Sequence, residues 1–258
     1  MMNDKPKNGK KMYHLIVCEI LFREACFCAA QSRNIIDITF MSKKLHDLGE
    51  EKMSDALQRQ IDQIDAQKYD AILMGYGLCN YGIRGLHADI PIAIPRAHDC
   101  IALLMGSRDK YDEYFANNPG TFFHSTGWIE RDSDSGEEGI ASQLGIDKSH
   151  EEYVEMYGEE EAKYLSGILD SWQENYKKVA YIDTGIGDQT FDMDLSKQYA
   201  EEKAWEFETL AGDTGLILKL LDGEWNDHDF LVVPPPYSIE PSYNEDIVCL
   251  CGAGAPDR

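Results

Sequence analysis

The apolar residues of the N-terminal half come in short, separated runs. Tyr13-His14-Leu15-Ile16-Val17 leads into Cys18, and Ile35-Ile36-Asp37-Ile38-Thr39-Phe40 is rich in β-branched residues. Asp70-Ala71-Ile72-Leu73-Met74 and Pro91-Ile92-Ala93-Ile94-Pro95 follow the same form. Runs of this length, bounded by glycine, proline or polar clusters, predict strands. Between them the period changes. Leu21–Gln31 reads as a helix, and Glu50–Gln67 carries Met53, Leu57, Ile61 and Ile64 at helical spacing. Asp99 is placed to cap a further helix through Ile101, Leu104 and Met105. Strands alternating with helices predict an α/β fold: a mainly parallel, Rossmann-like sheet with helices on both faces.

The pattern then breaks and resumes. Thr121–His124 reads as one more strand, ending at Gly127-Trp128. Residues 130–148 are rich in Asp, Glu, Ser and Gly and read as an exposed acidic loop. Ser149 and Glu152 form a capping box for a long helix over roughly 150–177, with Gly158 and Gly167 as weak points. Lys178–Ile182 reads as a strand, Leu195–Glu208 as a helix, and Asp213 as the cap of a short helix through Leu221. Phe230–Val233 is a strand stopped by three prolines, and Ile247–Leu250 is the last strand-like run. The implied organisation is a disordered basic tail (1–11), an N-terminal α/β lobe (12–129), the acidic loop (130–148) and a long helix with a C-terminal α/β lobe (149–258). The two lobes look related in their alternation, without a sequence repeat.

Charge narrows the function. The net charge is -23 over 258 residues, which repels phosphate backbones and anionic lipid surfaces and argues against nucleic acid as a partner. No apolar run has the length of a membrane span. Lys5, Lys7, Lys10 and Lys11 before the first apolar run imitate a secretory signal, but Glu19, Arg23 and Glu24 interrupt it at once. Seven cysteines, an odd number, fit reduced thiols in the cytoplasm better than a disulfide framework.

Three of those cysteines carry the chemistry. Cys18, Cys79 and Cys100 each follow a strand, and the carboxyl ends of neighbouring parallel strands converge on one crevice where ligands bind. The loop Gly75-Tyr76-Gly77-Leu78-Cys79-Asn80-Tyr81-Gly82-Ile83-Arg84-Gly85 joins glycines, a thiol, an amide and a guanidinium. It is neither a dinucleotide fingerprint nor a P-loop. The segment Arg96-Ala97-His98-Asp99-Cys100 puts a cysteine in the first turn of a capped helix, where a thiolate is stabilised. The candidate metal ligands are therefore Cys18, Cys79, Cys100 and His98. Candidate ligand-binding residues are Gly75, Gly77, Asn80, Arg84, Arg96, Asp99 and Asp183, the last at a strand end inside one of two Asp-Thr-Gly triplets. His46, His124 and Trp128 are weaker candidates for the cleft wall. Cys26 and Cys28 point to different helix faces and read as packing residues, and Cys249 and Cys251 share one strand face.

These stretches, with Gly106-Ser107-Arg108, Pro119-Gly120-Thr121 through Gly127-Trp128-Ile129-Glu130, and Phe230-Leu231-Val232-Val233-Pro234-Pro235, resemble the domain of unknown function 1638 family over roughly residues 12–237. The resemblance maps the family's first-strand cysteine onto Cys18. It implies a setting in anaerobes near corrinoid-dependent methyltransferases, hence methyl-group metabolism, and no established activity. Two functions follow as expectations. One is a cytoplasmic zinc or iron–sulfur enzyme acting on a small molecule, with three cysteine ligands. The other is a non-enzymatic accessory protein that holds a small ligand and docks on a corrinoid protein or a methyltransferase.

Overall fold

The structure is a computed structural model and describes residues 9–133, 154, 158–159 and 175–252. The basic tail before Gly9, nearly all of the expected acidic loop and most of the expected long helix lie outside the described residues. The described part contains ten strands. They are β1 (Met12–Cys18), β2 (Ile35–Met41), β3 (Ala71–Gly75), β4 (Ile92–Pro95), β5 (Thr121–His124), β6 (Lys178–Asp183), β7 (Glu206–Ala211), β8 (Phe230–Val233), β9 (Ser238–Pro241) and β10 (Val248–Cys251). Its helices are α1 (Phe22–Gln31), α2 (Glu50–Ile61), α3 (Cys100–Met105), α4 (Arg108–Asn117), α5 (Thr126–Ser133), α6 (Thr190–Glu202) and α7 (Gly215–Asp222). No described helix is long and apolar enough to cross a membrane.

The first unit holds residues 1–113, 184–187 and 211–258. Its sheet runs β2-β1-β3-β4-β8. β2, β1, β3 and β4 are parallel, and β8 closes the edge antiparallel to β4. Every residue of β3 and β4 is buried, which is why these strands read as continuous apolar runs. β8, assigned by the sequence pattern to a C-terminal lobe, instead completes this first sheet. Its Phe230–Val233 run is mostly buried like its neighbours, and β4 would otherwise leave an open apolar edge. β9 and β10 form a separate antiparallel pair.

The buried guanidinium of Arg96 ties this end of the unit together. Its Nε donates to the carbonyls of Asp227 (2.9 Å) and Phe230 (3.2 Å), and its Nη1 to those of Asp246 (2.8 Å) and Val248 (2.5 Å). One side chain thereby satisfies carbonyls at both ends of the β8–β10 stretch.

The second unit holds residues 114–183 and 188–210. Its sheet has the order β5-β6-β7, with β5 and β6 parallel. Two helices differ from the sequence pattern in their bounds. Gly127-Trp128 lies inside α5 rather than ending a strand, and α5 runs to Ser133 into the acidic stretch. The helix expected to reach Glu208 stops at Glu202, and Glu206–Ala211 is strand β7. Glu and Ala there favour a helix, but the segment is a strand with Phe207, Glu208 and Leu210 partly covered and Glu206, Thr209 and Ala211 exposed.

Candidate functional site

The first crossover carries the chain from β1 to β2, and the second carries it to β3 on the other side of β1. The strand order therefore reverses between β1 and β3, and ligands of open parallel sheets bind outside the carboxyl ends at such a point. Cys18 is the last residue of β1 and Gly75 the last of β3. The residues beyond them build the site.

Cys18 is buried, and its Sγ stands 3.6 Å from His46 Nε2. His46 comes from a short 3₁₀ turn, Lys43–Leu48, directly after β2. Glu19 holds that turn against the end of β1. Its Oε1 accepts from Ser42 Oγ (3.1 Å) and from the Lys43 amide (2.8 Å). The imidazole also lies 6.2 Å from the ring of Tyr76. Tyr76 is buried, and its hydroxyl has no hydrogen-bond partner among the described residues. An unsatisfied buried hydroxyl costs about 1–3 kcal/mol. Burial pushes this phenol far up, and the neighbouring Cys18 and Cys79 push it further.

Cys79 follows four residues beyond β3. Gly77 explains how the loop reaches that point. A Cβ on Gly77 would lie 2.7 Å from the Asp99 nitrogen and 2.8 Å from the Ala97 oxygen. The loop after β3 therefore lies directly on the loop after β4, and Leu78 and Cys79 donate to the Ala97 and His98 carbonyls at 2.8 and 3.0 Å. The close approach that the glycine allows is to protein backbone. Gly75 similarly leaves room for Val17, whose Cγ2 would be 2.5 Å from an added Cβ.

Cys79, Asn80 and Tyr81 then adopt φ of 44°, 53° and 64° in succession. Three consecutive non-glycine residues in the left-handed region cost about 1–2 kcal/mol each, and such strain gathers at functional sites. Burial raises the Cys79 thiol to about 12, with Asp99 and Cys18 adding to the rise. Burial likewise raises Cys18 to about 12. Both are neutral thiols at physiological pH.

On the β4 side, Asp99 caps α3 as its sequence position predicts. Its Oδ1 accepts from the amides of Ile101 (2.9 Å) and Ala102 (3.4 Å). Its Oδ2 accepts from Tyr111 Oη at 2.9 Å. Cys100 is the first residue of α3 and is buried, close enough to Tyr111 to help raise its phenol.

The remaining candidates go elsewhere. His98 is exposed, with its ring 6.3 Å from that of Tyr111. It lines a polar hollow with Arg108, Asp109 and His228. Arg84 is exposed and pairs with Glu50 (3.3 Å) and Glu240 (2.9 Å). Arg96 is the structural tie described above. Asn80 is exposed on the strained turn. Asp183 ends β6 in the second unit. Among the described residues, no three His, Cys, Asp or Glu side chains stand as a metal-binding group. His46 and Tyr76 stand beside Cys18 instead. The rule that singles out Cys18 also reaches His46, because the turn after β2 opens on the same edge of the sheet.

The first unit is thus an open, mostly parallel α/β sheet whose switch point is walled by buried thiols, a phenol and an imidazole. The chain belongs to the family described as Protein of unknown function (DUF1638), which it matches over residues 40–221. No curated protein and no solved structure matches it.

Proposed function

We propose that the crevice beyond β1, β3 and β4 binds a thiophilic metal, as zinc or as an iron–sulfur cluster, for chemistry on a small molecule. On this reading the first unit is Rossmann-like, and Cys18, Cys79 and Cys100 supply the thiolates with His46 as the imidazole beside Cys18. One observation carries the reading: the buried thiols of Cys18 and Cys79 adjoin the Tyr76 hydroxyl, which has no hydrogen-bond partner among the described residues, beside a strained turn.

The donor chemistry suits the metals. Thiolates bind both zinc and iron–sulfur clusters, and imidazole adds a zinc ligand. Neutral buried thiols pack as small apolar groups. They become ligands only on losing protons, so metal uptake and deprotonation are one event. When bound, a metal would hold a substrate thiol or other small nucleophile in its ionised form, a chemistry fitted to methyl-group transfer in anaerobes. The chain's own contribution is to exclude water at Cys18 and Cys79, to hold Cys100 beside Tyr111 and Asp99, and to place His46 where it can take the Cys18 proton.

The test is anaerobic purification followed by metal analysis and a visible absorption spectrum. Stoichiometric zinc without visible bands, or iron and sulfide with charge-transfer bands, supports the reading and separates its two forms. Cys100→Ser and Cys79→Ser should each remove most of the metal while leaving the circular dichroism spectrum intact. A metal-free protein, or full metal content in both variants, overturns it. A metal-free protein that binds a purified corrinoid protein or methyltransferase supports the accessory role instead.

A further inference from the structure

The second unit contains a separate cavity of about 1000 Å³, within the size range of small-molecule sites. One wall is aromatic. The Phe122 ring stacks on Tyr199 at 5.9 Å and 26°, and meets His124 edge-on at 5.2 Å. Trp128 and Phe191 continue the lining, and Phe191 is 74% exposed. The charged residues that line the cavity among those described are Glu130, Asp192 and Glu202; lysine and arginine are absent from that lining. The Tyr199 ring already meets one cation, with Lys203 Nζ 5.9 Å from its centroid.

Hydrogen-bond accounting fixes the character of His124. The Ser196 hydroxyl has a single proton and donates it to the Asp192 carbonyl oxygen at 2.8 Å. The 2.9 Å contact between Ser196 Oγ and His124 Nδ1 therefore has Nδ1 as the donor. Nε2 then carries the lone pair, and it makes no hydrogen bond among the described residues. Burial pulls this imidazole down to about 4, so it is neutral at physiological pH. The cavity thus offers π faces, carboxylates and one imidazole acceptor.

We propose that this cavity binds an organic ammonium ion, a protonated amine on an apolar body. Its charge lies against the Phe122–Tyr199 and Trp128 rings and Glu202, and an N–H is donated to His124 Nε2. Cation–π attraction favours such an ion, more so where water is excluded. An anion meets three carboxylates, and a hydrocarbon leaves the Nε2 acceptor unpaired.

Isothermal titration calorimetry of the full chain at neutral pH tests this with three ligands of one shape: 2-phenylethylamine, benzyltrimethylammonium and 3-phenylpropionate. The primary ammonium should bind with heat of interaction, the quaternary ion about tenfold more weakly for want of an N–H, and the carboxylate not at all. Glu202→Gln, on an exposed position of α6, should weaken the ammonium about fivefold or more, and Trp128→Leu at least as much, both with unchanged circular dichroism. The proposal is overturned if 3-phenylpropionate binds as tightly as the amine, or if no ammonium binds at millimolar concentration. It is also overturned if the quaternary ion matches the primary one, or if Glu202→Gln binds like the unchanged chain.

Discussion

Cys18 Sγ lies 3.6 Å from His46 Nε2 although 28 residues separate them in the chain. The pairing follows from topology. β1 and β2 run parallel with Cys18 opposite Met41, so the turns that follow both strands open on one edge of the sheet. A buried thiol thereby gains a base within reach, and the same edge supplies Tyr76 and Cys79.

The first prediction concerns thiol accessibility. Cys26 and Cys251 are exposed, while Cys18, Cys28, Cys79 and Cys100 are buried. Burial also raises Cys18, Cys28 and Cys79 to about 12, 11 and 12. Brief iodoacetamide treatment of the native, metal-free protein near neutral pH should label Cys26 and Cys251 first, since thiolates are the nucleophiles. Peptide mass spectrometry reads the order, and early labelling of Cys18 or Cys79 would show that the crevice is open.

Alkaline stability follows from the same thiols. Cys18 and Cys79 ionise at about 12 when folded, against an ordinary value of 9.0. Between those values the folded chain binds more protons than the unfolded one. Their contribution is thus complete below pH 9 and is lost as the pH rises toward 12. The melting temperature of metal-free protein should fall through that window, and less steeply in Cys79→Ala. An equal slope in the variant would remove Cys79 from the account.

The loop after β3 makes an opposed pair of predictions. Gly77→Ala forces a Cβ onto the backbone of residues 97–99 and should cost about 1–3 kcal/mol. It should also lower metal content by parting the two loops. Tyr81→Gly removes a left-handed strain at a partly exposed side chain and should stabilise by about 1 kcal/mol. Urea denaturation measures both. A neutral Gly77→Ala would mean that the loops separate without penalty.

Arg96→Met is expected to be severe. It leaves the carbonyls of Asp227, Phe230, Asp246 and Val248 without this donor, at a cost of about 3 kcal/mol or more. Hydrogen exchange should quicken first in β8–β10. Exchange that stays slow there while rising in β1 or β3 would contradict the assigned role.

Much of the first sheet is legible in sequence because β3 and β4 are buried throughout and β1 nearly so, so apolar runs and strand ends coincide. The same property makes Cys18, Cys79, Asp99 and Cys100 visible as strand-end residues. Strands β7 and β9 are harder to read, since one carries helix-favouring Glu and Ala and the other is a short proline-flanked segment. His98 reads as a ligand because it neighbours Cys100 along the chain, yet it faces outward while His46 faces Cys18. Arg96 reads as a ligand-binding candidate because it stands in the segment that leads to Cys100. Only the fold shows which carbonyls it reaches.

The antiparallel pairing of β8 on β4 bears on how the protein is made. On the ribosome, β1 to β4 emerge early, but the strand that covers the apolar edge of β4 emerges only after the whole of the second unit. Until then the nascent chain carries an uncapped sheet edge, the kind of surface that chaperones bind and that aggregates when synthesis outruns folding. Heterologous expression should therefore gain more soluble product from slowed translation than from a stronger promoter.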